Sequence, residues 1–118
     1  MKVVCTRVPP SPNGVVLEAS PWVTVGAEYH VVSVLAEPHS QVRVQILTDD
    51  GRSLAWFDST DFLTVDGTVP ASWAVRIAEA GVLALGPAAW LVPGFWEAYY
   101  DEEPSAVGAV ESELRALR

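Results

Sequence analysis

The hexapeptide Gln41-Val42-Arg43-Val44-Gln45-Ile46 alternates polar and apolar residues without a break. Successive side chains of a strand point to opposite faces. The run therefore predicts a half-buried strand with Val42, Val44 and Ile46 inward and Gln41, Arg43 and Gln45 toward solvent. Just beyond it, Thr48-Asp49-Asp50-Gly51-Arg52 supplies a hairpin turn, because Asp-Gly accepts positive φ, and Ser53 to Phe57 forms the return strand. A strand that runs straight into a tight turn and back commits the chain to antiparallel sheet. Upstream, Tyr29 to Leu35 is rich in β-branched residues and reads as another strand, ended by Glu37-Pro38-His39-Ser40. Downstream, Asp58-Ser59-Thr60-Asp61 has the composition of a single tight turn, and Phe62 to Val65 is a short last strand. Residues 26–66 are thus expected to form a compact β unit.

The flanks are read against that unit. Residues 1–8 predict an edge strand, and Pro9-Pro10-Ser11-Pro12-Asn13-Gly14 predicts an exposed turn, since proline removes donors. Val69 to Trp73 predicts a turn that pins Trp73 on the β unit. Ala74 to Ala78 and Val82 to Leu85 predict a hairpin, with Val75 and Ile77 sharing a side. Gly86 to Leu91 and Pro93 to Tyr100 predict two short helical segments. From Pro104 onward Val107, Val110, Leu114 and Leu117 recur at helical spacing. Gly108 weakens that helix by about 1 kcal/mol relative to alanine, which suggests close packing against the β unit.

Taken together, Gly26-x-x-Tyr29-x-Val31, a hairpin, Trp56-Phe57-Asp58, a polar single turn and Phe62-x-x-Val65 resemble the strand order of an SH3-like barrel. The likeness covers about a third of the chain. Peptide-binding SH3 domains usually carry a proline where Asp58 stands here, so the resemblance implies the barrel and not the proline-rich-peptide groove. The implied fold class is mainly β (α+β): an SH3-like, partly open β-barrel with an added hairpin and C-terminal helices. One domain spans 1–118, with 26–66 as barrel core and 67–118 as an extension packed on it. The run Gly94-Phe95-Trp96-Glu97-x-Tyr99-Tyr100-Asp101, following Pro70-x-x-Trp73, is similar to small uncharacterised bacterial proteins. Some short acidic proteins of that kind are immunity proteins of bacterial toxin systems.

Charge and residue types narrow the function. The formal net charge of −8 argues against unspecific nucleic-acid binding, which needs Lys and Arg to replace counterions on phosphates. It suits a basic protein partner. Cys5 is the single cysteine, so neither an internal disulfide nor a cysteine zinc site is expected. No secretory leader is legible, and no apolar run approaches the ~18 residues that span a bilayer. The expected location is the cytoplasm, with no membrane partner. His30 falls in a strand and His39 in a loop, and neither stands beside a nucleophile elbow. The carboxylates Asp49, Asp50, Asp58, Asp61 and Asp66 fall in turns, where aspartate serves local backbone hydrogen bonds. No glycine cluster cradles a phosphate. The expectation is a protein without catalytic residues, cofactor or metal.

The densest remaining feature is aromatic. Trp96, Tyr99 and Tyr100 share one helix face beside Trp90 and Phe95, flanked by Glu97 and Asp101. Such a group either seals the extension onto the barrel or forms an anchor patch, because interfaces concentrate Trp and Tyr at hot spots. Trp90, Trp96, Glu97, Tyr99, Tyr100 and Asp101 are the candidate protein-binding residues. Homodimerisation would use the Lys2 to Val8 edge or the aromatic face. The alternative to a binding module is a small enzyme or small-ligand binder with a pocket between barrel and extension, using His30, Glu97 and Asp101 around Trp96. A nucleic-acid-binding barrel is the third reading, and the scattered seven Lys and Arg residues oppose it.

Overall fold

The computed structural model describes residues 1–8 and 22–117, so the turn expected at 9–14 lies outside the described residues. The described chain is mainly β. Its strands are β1 (Lys2–Cys5), β2 (Glu28–Ala36), β3 (Val42–Leu47), β4 (Leu54–Asp58), β5 (Phe62–Asp66), β6 (Trp73–Ile77) and β7 (Leu83–Pro87). Two helices follow, α1 (Phe95–Tyr100) and α2 (Pro104–Ala116). All pairings are antiparallel, in the order β4-β3-β2-β1-β5, with β7 added to β2 and β6 to β7. The sheet does not close, and this is the partly open barrel with an added hairpin and C-terminal helices that the strand pattern implies.

The nine-residue β2 is the hub. Its first half pairs with β1 at Glu28 to His30, and its last three residues pair with β7. Its other side pairs with β3 from Val31 to Ala36. Between these halves the β2–β3 register slips between Val31 and Ser33. An extra residue in one strand bends it and turns consecutive side chains to different faces. Accordingly Val31 joins one core, with Val3, Cys5, Val8, Val23, Tyr29, Val44 and Ile46. Val32 joins a second core, with Trp90, Val110 and Leu114. Fully burying a side chain such as Ile46 contributes about 1.5–3 kcal/mol.

Three expectations are corrected here. The strand at residues 2–5 is not an edge: β1 lies between β2 and β5, and β5 joins the sheet only through it. With Val3 and Cys5 buried, that strand belongs to the barrel core, and the core is not confined to 26–66. It therefore offers no free edge to a second copy. Gln45, expected at the solvent face of β3, is 2 % exposed. The extension covers that face, and the desolvated amide is satisfied because Ser33 Oγ donates to Gln45 Oε1 at 2.7 Å. Gly108, expected against the β unit, points to open space: a Cβ there meets no atom within 4 Å.

The turn aspartates divide into two kinds. Asp50, Asp58 and Asp66 accept bonds from residues two or three ahead, and Asp58 caps the 3₁₀ turn Ser59–Asp61. Gly51, at φ 71°, completes the β3–β4 turn as the Asp-Gly pair implies. Asp49 and Asp61 instead reach across the fold. Tyr29 Oη donates to Asp49 Oδ1 at 2.5 Å and Thr24 Oγ1 to Asp49 Oδ2 at 3.0 Å. Arg7 pairs with Asp61 at 2.6 Å, and Asp61 is buried. Both chain segments that flank 9–21 are thereby tied to the barrel.

In the extension, Trp73 N donates to Pro70 O, and Trp73 packs on the barrel core. The β6–β7 hairpin forms as expected, but Val75 and Ile77 face water together. Pro104 opens α2, where its fixed φ suits a first helical turn. Ala106, Val110 and Leu114 form the buried stripe of α2. Among the described residues no helix is long and apolar enough to cross a membrane.

Candidate functional site

Strand register builds the first half of the site. On the sheet face that carries the extension, one cross-strand row runs Arg76, Ala84, Leu35, Arg43, Asp58. The adjacent row holds Ala74, Gly86, Ser33, Gln45 and Trp56. Ala84 in the first row and Gly86 and Ser33 in the second are small. At Gly86 a methyl group would be tight: a Cβ would lie 3.0 Å from Ser33 Cβ. Ser33 and Ala84 floor a depression between Trp56 on one side and Arg76 on the other, with buried Gly86 packed against Ser33.

The 3₁₀ turn Ala88–Leu91 and α1 roof it. Pro87 ends β7 and sends the chain back over the sheet, because it cannot donate to a ladder. The result is a cavity of about 270 Å³, lined mainly by apolar groups including Leu35, Trp56, Leu85, Trp90, Val92 and Trp96. Arg76 stands exposed at its rim, and Arg76 Nη1 donates to Leu91 O at 2.6 Å. Among the described residues no carboxylate pairs with Arg76, nor with Arg52 or Arg115, whereas Lys2, Arg7 and Arg43 pair with Glu28, Asp61 and Glu37.

The aromatic group continues from this roof to the surface. Trp90 is 3 % exposed and sits in the second core. Its indole Nε1–H is sealed from water and has no acceptor among the described residues, an uncompensated burial that costs about 1–3 kcal/mol. Trp96 meets Trp90 edge-on at 5.4 Å, and Tyr100 leans on Trp96 at 6.2 Å. Tyr99 contacts Trp96 edge-on at 5.4 Å. Trp96 and Tyr99 are half-buried, while Tyr100 is 74 % exposed. Glu97, Asp101, Glu102 and Glu103 are exposed around it. Of the six candidate binding residues, α1 brings Trp96, Glu97, Tyr99, Tyr100 and its C-terminal neighbour Asp101 to one region. Trp90 lies beneath them as support.

The residues of the alternative enzyme reading do not meet at the cavity. His30, Glu97 and Asp101 are absent from the cavity lining. His30 sits on β2 opposite Lys2, and burial, then the Lys2 charge, lowers its pKa below the usual histidine value. His39 occupies the turn after β2 at φ 58°. Cys5 is buried, and desolvation raises its thiol pKa. No group of three or more potential metal ligands occurs among the described residues. The sequence reading missed Trp56, Arg76 and Ala84 in the lining and Gly86 packed against Ser33 beside it. Their one linear signal is the small-residue spacing of Ala84 and Gly86, and it acquires meaning only once β7 lies beside β2.

Comparisons with known protein families, with curated proteins and with solved structures found no match to the chain.

Proposed function

We propose that this chain is a non-catalytic protein-interaction module that presents the α1 surface to a basic partner. One observation carries the reading: a large ring, Tyr100, is 74 % exposed, rests on Trp96 and Tyr99 and is flanked by exposed carboxylates. Aromatic anchors with restricted rotamers bind at low entropic cost and dominate interface energies. The surrounding Glu97, Asp101, Glu102 and Glu103, together with the net charge of −8, steer a cationic surface toward it. The sharpest form of the proposal is an acidic inhibitor of a basic bacterial toxin, an SH3-like barrel with an interaction extension.

The test is capture from cells of the source organism, followed by binding of the recovered partner in purified form. The expected partner has a basic binding face. Its affinity falls with added salt, and it falls at least tenfold, about 1.4 kcal/mol, on Tyr100→Ala or Asp101→Lys. A purified partner that binds both variants as tightly as the wild-type chain would refute the proposal. So would capture that recovers nothing.

A further inference from the structure

We propose that the cavity between the sheet and the Trp90–Trp96 segment binds a small monocarboxylate with a flat apolar body, whose carboxylate pairs with Arg76. The shape is built from sequence: Ser33 and Ala84 are the short side chains of the floor, and Gly86 packs close against Ser33, where an added Cβ would lie 3.0 Å from Ser33 Cβ. Trp56, Trp90 and Trp96 supply aromatic walls, and Leu35 and Val92 add apolar surface between them. A volume of about 270 Å³ equals that of about nine liquid waters, so the fitting ligand has on the order of ten non-hydrogen atoms. Water gains little in such a lining, because it finds few polar partners.

Arg76 fixes the polar end of the ligand. Its bond to Leu91 O holds the guanidinium at the rim and leaves other N–H donors free. In a chain of net charge −8, an arginine with no carboxylate partner among the described residues, set at the edge of an apolar cavity, matches an incoming carboxylate. A planar fork binds that group bidentately. A polyanion fits poorly, since a single cation faces the cavity among its described lining residues. A basic peptide is repelled by Arg76. This site is separate from the α1 surface proposed for a protein partner, and neither proposal depends on the other.

Phenylacetate is the probe, with phenylacetamide as its neutral isostere, and the readout is the set of five indole N–H signals in a nitrogen–proton NMR titration. The expected result is saturable shifts at the indoles of Trp56, Trp90 and Trp96, with Trp22 and Trp73 unmoved, and a dissociation constant of about 1 mM or tighter. Phenylacetamide and Arg76→Gln each weaken binding at least tenfold, about 1.4 kcal/mol. Ala84→Leu, which fills the floor, abolishes binding while the remaining spectrum stays folded. Asp101→Lys, which should disrupt the protein partner, leaves phenylacetate affinity unchanged. No saturable shift up to about 10 mM overturns the proposal. Equal affinities for acid and amide, or shifts confined to Trp22 and Trp73, overturn it as well.

Discussion

Replacing Gly86 by alanine adds one methyl group against Ser33, which floors the site, and the structure bounds the penalty. The new Cβ would stand 3.0 Å from Ser33 Cβ and 3.6 Å from Val32 O, against an optimal carbon–carbon separation of about 3.5–4.0 Å. Ser33 cannot step aside. It is buried, pairs with Gln45 on β3, and donates its hydroxyl to the same residue. Forcing a methylene-sized group into such packing costs about 1–3 kcal/mol. Glycine-to-alanine replacement returns about 0.4–1 kcal/mol through the less flexible unfolded chain. The net expectation is a destabilisation of about 1 kcal/mol, within a span from near zero to about 2.6 kcal/mol. Gly108→Ala is the internal control: the same replacement in an exposed helix position with empty space around its Cβ is expected to stabilise by about 0.5–1 kcal/mol. Urea denaturation measures both, and two-state behaviour keeps the slopes equal so that midpoints compare directly. The reasoning fails if Gly86→Ala matches or exceeds wild-type stability, or if both alanines move the midpoint in the same direction.

Three further outcomes follow from packing and charge. Trp90→Ala is expected to cost about 3–5 kcal/mol through lost core volume, whereas Trp90→Phe should cost much less, because it keeps an aromatic ring and removes the unpartnered N–H; equal losses in thermal melts would contradict the burial of that donor. Arg7→Ala should destabilise by about 1–3 kcal/mol, because it leaves the buried Asp61 carboxylate without its ion pair. Adding Asp61→Asn should recover part of the loss, and strict additivity in this double-mutant cycle would show that the pair is uncoupled. The pH dependence is set by groups whose folded and unfolded affinities for protons differ. Hydrogen bonds from Ser53 hold Asp50 well below the ordinary carboxylate range, and Thr60 and Thr68 lower Asp58 and Asp66, so stability is present above an unfolded pKa of 3.8 and lost as pH falls below it. His30, also lowered, removes a further share as pH falls through 6.5. Burial raises Cys5 and Tyr29, so stability is lost again as pH rises beyond 9.0 and 10.0. Denaturation midpoints across this range test the shape, and a curve that is flat down to about pH 2 would contradict the acid limb.

Much of the architecture is local, and local pattern was enough to read it. The alternation in residues 41–46, the Asp50-Gly51 turn, the Asp58 cap and the spacing of Val110 and Leu114 each act within one element or one turn. The sequence therefore carries them openly. It also located the aromatic run of α1 beside its carboxylates, because residues three and four apart share a helix face whatever lies beneath.

Which strands become neighbours is a different kind of information. The place of β1 between β2 and β5, the burial of Gln45, and the meeting of Ala84 and Gly86 with Leu35 and Ser33 depend on pairings between distant segments. Likewise, alternation predicts one wet face on β3, and a helical cover laid over that face erases the prediction. Periodicity within the chain alone determined the elements and their turns. Register between remote strands, visible only in the tertiary structure, decided which short side chains line up beneath Trp90 and Trp96, because hydrogen-bonded pairing fixes every side-chain position across the sheet at once.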